Sequence, residues 1–161
     1  MIKKIVLGIV IYKKKILIVR RKVKEGNLFW QFPGGEIESN ETEEQAVIRE
    51  LKEETGLSCK VNKLLGKRVH PHTNREMLYF ACNFISGEIL ISDEDLSEAK
   101  WVNIENLNDY FTTDLYEPVK VYINGNKWFF TKRKIKNIFI LRTEIYSSVL
   151  LFLQKSNFNI I

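Results

Sequence analysis

The pattern of apolar and polar residues predicts several short strands and one well-defined helix. Runs rich in β-branched and aromatic residues at 4–12, 16–20 and 29–32 indicate strands, the first two separated by a lysine turn. Similar runs predict four later strands, at 61–69, 77–85, 88–91 and 100–104. The expected fold is therefore an α/β or α+β sandwich, in which a mixed β-sheet is flanked by helices.

The helix is predicted to begin shortly after the chain breaker Pro-Gly-Gly at 33–35. Thr42, followed three residues later by Gln45, has the sequence pattern of a capping box. Gly56 stands where a left-handed C-terminal cap belongs. Four apolar residues are expected to form the buried side of this helix: Ala46, Val47, Ile48 and Leu51.

The character of the chain changes near residue 125. Before that point a second helix is expected over 114–123, with Pro118 in its first turn. Beyond it lie aromatic and basic residues and another apolar, helical stretch at 145–153. We predict a domain at 1–124 and a C-terminal extension at 125–161 packed on it, serving as part of the core, a homodimer contact or a lid.

Composition narrows the class of protein. With 161 residues, of which 45% are hydrophobic and 28% charged, the chain resembles one ordinary globular domain. No apolar run approaches the roughly 18 residues that a membrane helix needs, so no membrane contact is expected. Cys59 and Cys82 form neither a disulfide framework nor a metal-ligand pattern, which favours a reducing, cytoplasmic location.

Charge is distributed unevenly although the net charge is only +5. Residues 36–54 contain eight acidic side chains and two basic ones, whereas residues 125–161 contain seven basic side chains and one acidic one. The acidic segment marks a candidate cation site. The basic segment is either a solvated face or an anion-binding surface.

Three acidic residues of this segment, Glu50, Glu53 and Glu54, occupy little more than one helical turn. Residues three and four apart are neighbours on a helix, and like charges there repel. The patch is therefore either solvated or made to hold a cation. Hard divalent cations such as Mg²⁺ bind oxygen ligands and are usually shared between carboxylates and substrate phosphates.

The spacing around these glutamates completes a recognisable motif across residues 35–57. Nine positions define it: Gly35, Glu41, Arg49, Glu50, Leu51, Glu53, Glu54, Gly56 and Leu57. On these residues the chain resembles the Nudix hydrolases, and the resemblance extends more weakly over 1–124. It implies the Nudix fold and hydrolysis of a nucleoside diphosphate linked to another moiety.

The resemblance also implies roles for individual residues of the motif. Glu53 and Glu54 would be the main ligands of Mg²⁺, for which Mn²⁺ could substitute, with the backbone carbonyl of Gly34 close by. Glu50 would be a ligand or the general base. Arg49 would orient a neighbouring glutamate, because its planar fork suits carboxylates. Catalytic roles therefore fall to Arg49, Glu50 and Glu53.

The resemblance also implies a further acid from the loop before a later strand that contains tryptophan. The stretch SDEDLSEAKW places Asp95 six residues before Trp101. Asp95 is the expected catalytic acid of this loop, with Glu94 and Glu98 as the alternatives. Either this acid or the motif glutamate would remove the proton from the attacking water.

Candidate substrate-binding residues lie outside the motif. By resemblance, Arg21 contacts a phosphate. Phe32 could contact the nucleotide, with packing in the core as the alternative, and Arg75 could line the substrate pocket, with a solvated turn as the alternative. Similar enzymes that hydrolyse 8-oxo-dGTP carry an asparagine where this chain has Tyr116. A phenol can stack on a base but cannot replace an amide's paired donor and acceptor, so a broader nucleotide specificity is expected.

The expected activity is Mg²⁺-dependent cleavage of a nucleoside triphosphate, oxidised or non-canonical, to the monophosphate and pyrophosphate by attack of water on phosphorus. Alternative substrates are ADP-ribose, a dinucleoside polyphosphate and RNA 5′ ends. A nucleic-acid-binding or regulatory protein on the same scaffold is the alternative of another class. It is not favoured, because Nudix proteins that lose catalysis usually lose motif glutamates and this chain retains them.

Overall fold

The computed structural model describes residues 3–25, 28–70, 73–111 and 114–126. Contacts within the chain divide it into two compact units, Met1–Asn124 and Gly125–Ile161. The described residues belong almost entirely to the first unit. The predicted C-terminal extension, with its basic residues and its expected helix at 145–153, lies outside the described residues.

Strands dominate the described part of the chain. They are β1 (Lys4–Tyr12), β2 (Lys15–Glu25), β3 (Leu28–Gln31), β4 (Ser58–Val69), β5 (Glu76–Ser86) and β6 (Leu96–Asn103). The helix α1 (Glu43–Thr55) lies between β3 and β4, and a 3₁₀ helix (Ile104–Asp109) follows β6. Residues 117–126 are also helical and are called α2.

The sheet is mixed, as predicted. Its strand order is β3-β2-β1-β5-β4, and β6 pairs with β2. Strands β1 and β5 run parallel, whereas the other pairs are antiparallel. Helix α1 covers one face with its buried residues, and the 3₁₀ helix and α2 contribute buried residues to the core on the other face. The predicted fold class is therefore confirmed.

Helix α1 begins and ends as its sequence predicts. The Thr42 hydroxyl accepts a hydrogen bond from the Gln45 N–H at 3.2 Å, and the Gln45 side chain accepts one from the Thr42 N–H at 2.9 Å. Gly56 ends the helix in the left-handed region with φ of 73°. A Cβ at Gly8 would lie 2.9 Å from Leu51 Cδ1, so α1 packs closely against the middle of β1.

The predicted strand at 88–91 is wrong. These residues have no regular secondary structure. The Leu90 N–H donates instead to the Thr55 carbonyl at 3.0 Å, which ties this segment to the end of α1. The Leu90 side chain is 70% exposed, so its apolar character did not signal burial in a sheet.

Two further boundaries differ from the sequence prediction. Helix α2 begins at 117 rather than 114, after Tyr116, whose carbonyl accepts from the Val119 N–H at 2.9 Å. Pro118 stands in the first turn as expected, because its missing N–H costs nothing there. Strand β6 begins at Leu96, four residues before its predicted start, and continues the pairing with β2 as far as Arg21. No helix in the described ranges combines the length and the apolar character needed to cross a membrane.

Both cysteines lie in the core between α1 and the sheet. Burial raises the pKa of the Cys59 thiol to about 11 and that of the Cys82 thiol to about 12. Because the thiolate is the reactive form, both side chains should be inert in the folded protein.

We expect native protein to react with less than about 0.1 equivalent of Ellman's reagent over minutes, since a buried thiol of high pKa supplies almost no thiolate. Protein denatured in guanidinium should expose both of the chain's 2 thiols. The absorbance of the released thionitrobenzoate measures both reactions. Rapid labelling of either thiol in the native protein would show that this side of the core is open.

Candidate active site

The Pro-Gly-Gly loop is fixed along the edge of β1. The Gly8 N–H donates to the Pro33 carbonyl at 2.8 Å, and the Val6 N–H donates to the Gly35 carbonyl at 2.9 Å. Gly34, between them, has φ of +149°, and a Cβ there would lie 2.0 Å from the Val6 carbonyl oxygen. Only glycine fits this approach, so β1 holds the loop rigidly beside α1.

Glu54 is a carboxylate buried at the junction of this loop and α1. Its side chain is 3% exposed, and its Oε2 accepts a hydrogen bond from the Gly34 N–H at 2.7 Å. The pKa of Glu54 is raised to about 8, chiefly by burial and also by the negative charges of Glu50 and Asp93, against the Gly34 hydrogen bond and the positive charge of Arg21. A carboxylate in this environment is strongly stabilised by an added positive charge.

Arg49 connects the acidic side chains around the loop. Its Nε and Nη2 donate to the two carboxylate oxygens of Glu41 at 3.0 and 2.7 Å. Its Nη1 donates to Glu50 and to Glu53, each at 2.9 Å. Its Nη2 also donates to the Glu36 carbonyl at 3.1 Å, which fastens α1 to the loop. The repulsion among crowded carboxylates is thus offset by one guanidinium with a bidentate partner.

Gly35 makes room for the carboxylate of Glu50. A Cβ at Gly35 would lie 2.5 Å from Glu50 Oε1, so any larger residue would displace that side chain. Burial raises the pKa of Glu50, and its hydrogen bond to Arg49 opposes the shift. The two glycines therefore have different tasks: Gly34 permits the path of the backbone, and Gly35 permits the position of an acid.

The three glutamates of α1 are not equivalent. Glu50 and Glu53 face Arg49, whereas Glu54 faces the Gly34 N–H. Within the described ranges, no three acidic, histidine or cysteine side chains are arranged to hold a metal ion. The donor types nevertheless fit a hard dication, because they are carboxylate oxygens and one of the carboxylates is buried.

Two acids of the loop before β6, Asp93 and Asp95, differ in their surroundings. The Asp95 side chain is exposed, and its backbone carbonyl accepts from the Lys22 N–H at 2.8 Å. Asp93, not Asp95, is close enough for its charge to raise the pKa values of Glu50 and Glu54. The catalytic role expected for Asp95 stays a prediction.

The predicted substrate residues lie at several places. Arg21, on β2, is close enough to lower the pKa of Glu54. Phe32 is buried in the core on the face of the sheet opposite α1, and its ring centroid lies 4.9 Å from that of Phe111. Arg75 lies before β5, where its carbonyl accepts from the His70 N–H at 2.8 Å. Their contacts with a substrate stay predictions.

Tyr116 belongs to a cluster that the sequence did not reveal. Its hydroxyl donates to the Lys67 carbonyl at 3.1 Å, and its ring lies 5.0 Å from that of Tyr79. The Arg68 guanidinium lies over both rings, 5.3 Å from the centroid of Tyr116 and 5.6 Å from that of Tyr79. Gly66 leaves room for the Tyr116 phenol, because a Cβ at Gly66 would lie only 2.9 Å from the Tyr116 hydroxyl. The hydroxyl is therefore engaged by the backbone, and the ring already contacts Tyr79 and Arg68.

Comparison with known proteins agrees with the geometry around α1. A family model described as the NUDIX domain matches residues 2–122, about three quarters of the chain. The chain belongs to the Nudix family. Residues 35–57 of this Nudix chain, with their Arg49-linked acids, are the family motif identified in the sequence.

Individual relatives differ in the activities they are named for. An ADP-ribose pyrophosphatase of Methanocaldococcus jannaschii is 38% identical over 104 residues, which are 62% of this chain and 61% of that protein. An NAD-capped RNA hydrolase, NudC, of Salmonella heidelberg is 31% identical over 99 residues, 62% of this chain and 38% of that protein. The Nudix chain thus matches less than two thirds of the length of these relatives.

A solved structure of MutT, from work on Aliivibrio salmonicida and Vibrio cholerae, aligns with a TM-score of 0.59 and 26% identity. The alignment covers 78% of this chain and 99% of that chain. The structural likeness therefore extends over nearly the whole of that MutT chain.

The two glycines of the loop should respond differently to the same added methyl group. Gly34→Ala should destabilise the protein by about 3 kcal/mol or more, because the Cβ meets backbone and the φ is unfavourable. Gly35→Ala should change stability by less than about 1 kcal/mol yet weaken Mn²⁺ binding about tenfold, because only the end of the Glu50 side chain must move. Urea unfolding and Mn²⁺ titration measure these effects.

Gly125→Ala is the matched control, because a Cβ there meets nothing within 4 Å. It should leave Mn²⁺ affinity unchanged and should stabilise the protein by no more than about 1 kcal/mol, because Gly125 is helical and alanine is the better helix former. Equal effects of Gly34→Ala and Gly35→Ala on stability, with Mn²⁺ affinity unaltered, would contradict the separate tasks assigned to the two glycines.

Proposed function

We propose that this Nudix protein hydrolyses a phosphoric anhydride bond of a nucleotide in a reaction that requires Mg²⁺, for which Mn²⁺ can substitute. The observation that carries the proposal is the buried carboxylate of Glu54, held against the Gly34 N–H at 2.7 Å beside Glu50 and Glu53. A buried acid of this kind is costly unless a positive charge joins it. Proteins of the Nudix family generally use divalent cations, which fits this requirement.

Glu50, Glu53 and Glu54 would hold the cation, with the Gly34 carbonyl as a further ligand. A bound Mg²⁺ supplies charge that polarises phosphoryl oxygens and makes a water molecule more acidic. Arg49 would then keep Glu50 and Glu53 oriented through its bidentate pairing with Glu41, so that few side-chain rotamers remain to be ordered.

The remaining steps fall to residues of this chain. Glu50 or the acid of the loop before β6 would accept the proton of the attacking water. Arg21 would hold a phosphate oxygen, a role that suits the fixed charge of a guanidinium. Its position near Glu54 supports this assignment. Positioning and charge stabilisation would provide most of the rate enhancement, as in other phosphoryl transfers.

The proposed substrate is a nucleoside triphosphate, cleaved to the monophosphate and pyrophosphate. The likeness to the MutT structure, which extends over 99% of that chain, supports it. Because the Tyr116 hydroxyl already donates to the Lys67 carbonyl, this residue would not supply base-edge recognition. We therefore propose tolerance of several bases instead of strict selection of 8-oxoguanine.

ADP-ribose is the second candidate substrate. The 38% identity to an ADP-ribose pyrophosphatase favours it. The two substrates give different products with the same chemistry: a triphosphate releases pyrophosphate, whereas ADP-ribose yields AMP and ribose 5-phosphate. Incubation with dGTP, 8-oxo-dGTP, ATP or ADP-ribose, each with Mg²⁺ or Mn²⁺, and chromatography of both products separates the candidates.

Glu53→Gln should lower kcat by about a hundredfold or more, because it removes a charged oxygen from the proposed cation site. Glu44→Gln is the control, since it makes the same change on the exposed side of the first turn of α1. Its turnover should equal that of the wild type, and both variants should keep the wild-type melting temperature within about 3 °C. Unchanged turnover per folded molecule in Glu53→Gln would show that this face of α1 is structural.

A further inference from the structure

The turn between β1 and β2 is made of residues that such a turn does not favour. Tyr12 pairs with Lys15, so Lys13 and Lys14 alone connect the two strands. Both connecting residues have a positive φ, 48° and 66°, which is the pattern of a type I′ turn. Asn-Gly is the preferred sequence there, because lysine adopts the left-handed region only at a cost in free energy. Local stability therefore does not account for this pair of lysines.

Positive charge is concentrated at the same turn. Lys13, Lys14 and Lys15 are consecutive and exposed, and like charges so close together repel. The Lys14 carbonyl accepts a hydrogen bond from the Ile104 N–H at 3.0 Å, so the backbone that carries these charges is fixed to the segment after β6. A chain of negative charges bound at the turn would offset the repulsion.

An aromatic cluster lies directly beside the turn. It consists of Tyr12, Phe84 and Trp101. The ring centroid of Tyr12 lies 4.7 Å from that of Phe84 and 6.2 Å from that of Trp101. The three ring planes are inclined to one another by between 48° and 83°, so none of these rings is stacked face to face on another. Phe84 and Trp101 are half-buried against the core under α1, whereas Tyr12 is 40% exposed. The cluster is therefore anchored in the core and open to solvent at Tyr12.

Charge and aromatic surface meet at Tyr12, where the Lys13 Nζ lies 5.0 Å from the centroid of the ring. Proteins that bind single-stranded nucleic acids combine basic side chains along the phosphates with aromatic rings on which bases stack. A duplex would offer the same phosphates but would keep its bases inside the helix. The combination of exposed lysines with a solvent-exposed tyrosine therefore favours a single strand.

We propose that the β1–β2 turn and the aromatic cluster bind a single-stranded nucleic acid, with Lys13 and Lys14 contacting phosphates and Tyr12 stacking on a base. This surface is separate from the acidic site. A Cβ at Gly34 would lie 2.9 Å from the Leu7 Cα, and Tyr12 is about 17 Å further along β1 at the usual rise of a strand. The binding is therefore independent of the proposed hydrolysis.

Fluorescence anisotropy with the full chain and labelled oligo(dT) or oligo(U) of about twelve nucleotides, at several salt concentrations, tests the proposal. Lys13→Asn/Lys14→Gly should weaken binding about tenfold. It should also reduce the slope of log K against log[salt] by about 1.4, since each phosphate contact on a single strand contributes about 0.7. The same variant should melt at or above the wild-type temperature, because it introduces the favoured turn sequence. A loss of affinity together with retained or increased stability does not come from unfolding.

Tyr12→Leu tests the stacking contact separately. It removes the ring but keeps an apolar side chain and the charges, so binding should weaken about tenfold while the salt slope stays the same. Tyr12→Phe keeps the ring and should bind as the wild type does. The control is Lys60→Gln/Lys120→Gln, which removes two charges from exposed positions elsewhere in the described residues. It should change the affinity by less than about twofold, because separated surface charges are screened by salt.

Several results would overturn the proposal. Wild-type affinity of Lys13→Asn/Lys14→Gly would place any nucleic-acid binding elsewhere in the chain. An equal loss in the Lys60→Gln/Lys120→Gln control would reduce the effect to net charge. Wild-type affinity of Tyr12→Leu would leave an anion-binding face without base stacking, and tighter binding of an oligoglutamate of equal length would assign the surface to an acidic peptide. These titrations decide the proposal whether or not the protein hydrolyses a nucleotide.

Discussion

The burial of one carboxylate is the constraint on which the site depends. Glu54 is 3% exposed and meets the Gly34 N–H, and that N–H is held in place because the glycine loop is hydrogen-bonded along β1. An isolated desolvated charge costs several kcal/mol, so such a group either takes up a proton or acquires a positive partner. The family membership of the chain and the oxygen-rich surroundings indicate the second outcome.

Arg49 offsets the repulsion among Glu41, Glu50 and Glu53, whereas an added cation would offset the charge of Glu54. It binds both oxygens of Glu41 and one oxygen each of Glu50 and Glu53, and so keeps four charged groups compact when no dication is bound. Glu54 is outside this arrangement. The site therefore consists of an arginine-stabilised outer group and a buried inner acid, and the inner acid gains most from an added cation.

Local features of the sequence were sufficient for α1, for most of the strands and for the motif. The capping box, Gly56 and the spacing of acids are set by neighbours along the chain, and the structure has them where the sequence placed them. Contacts between distant segments could not be read in this way. Ser92 meets α1 across 39 residues of sequence, and the same attachment explains why residues 88–91 are a loop despite their apolar side chains. Likewise, nothing local to Tyr116 shows that its hydroxyl reaches the Lys67 carbonyl.

Calorimetric titration of Mn²⁺ into the protein at pH 7, in two buffers of different ionisation enthalpy, tests the central claim most directly. Because burial raises the pKa of Glu54 to about 8, most of the population at pH 7 carries a proton that a dication must displace. We expect saturable uptake with a heat that depends on the buffer, and a much weaker buffer dependence in Glu54→Gln. Absence of Mn²⁺ and Mg²⁺ uptake by the wild type, with or without nucleotide, would contradict the account.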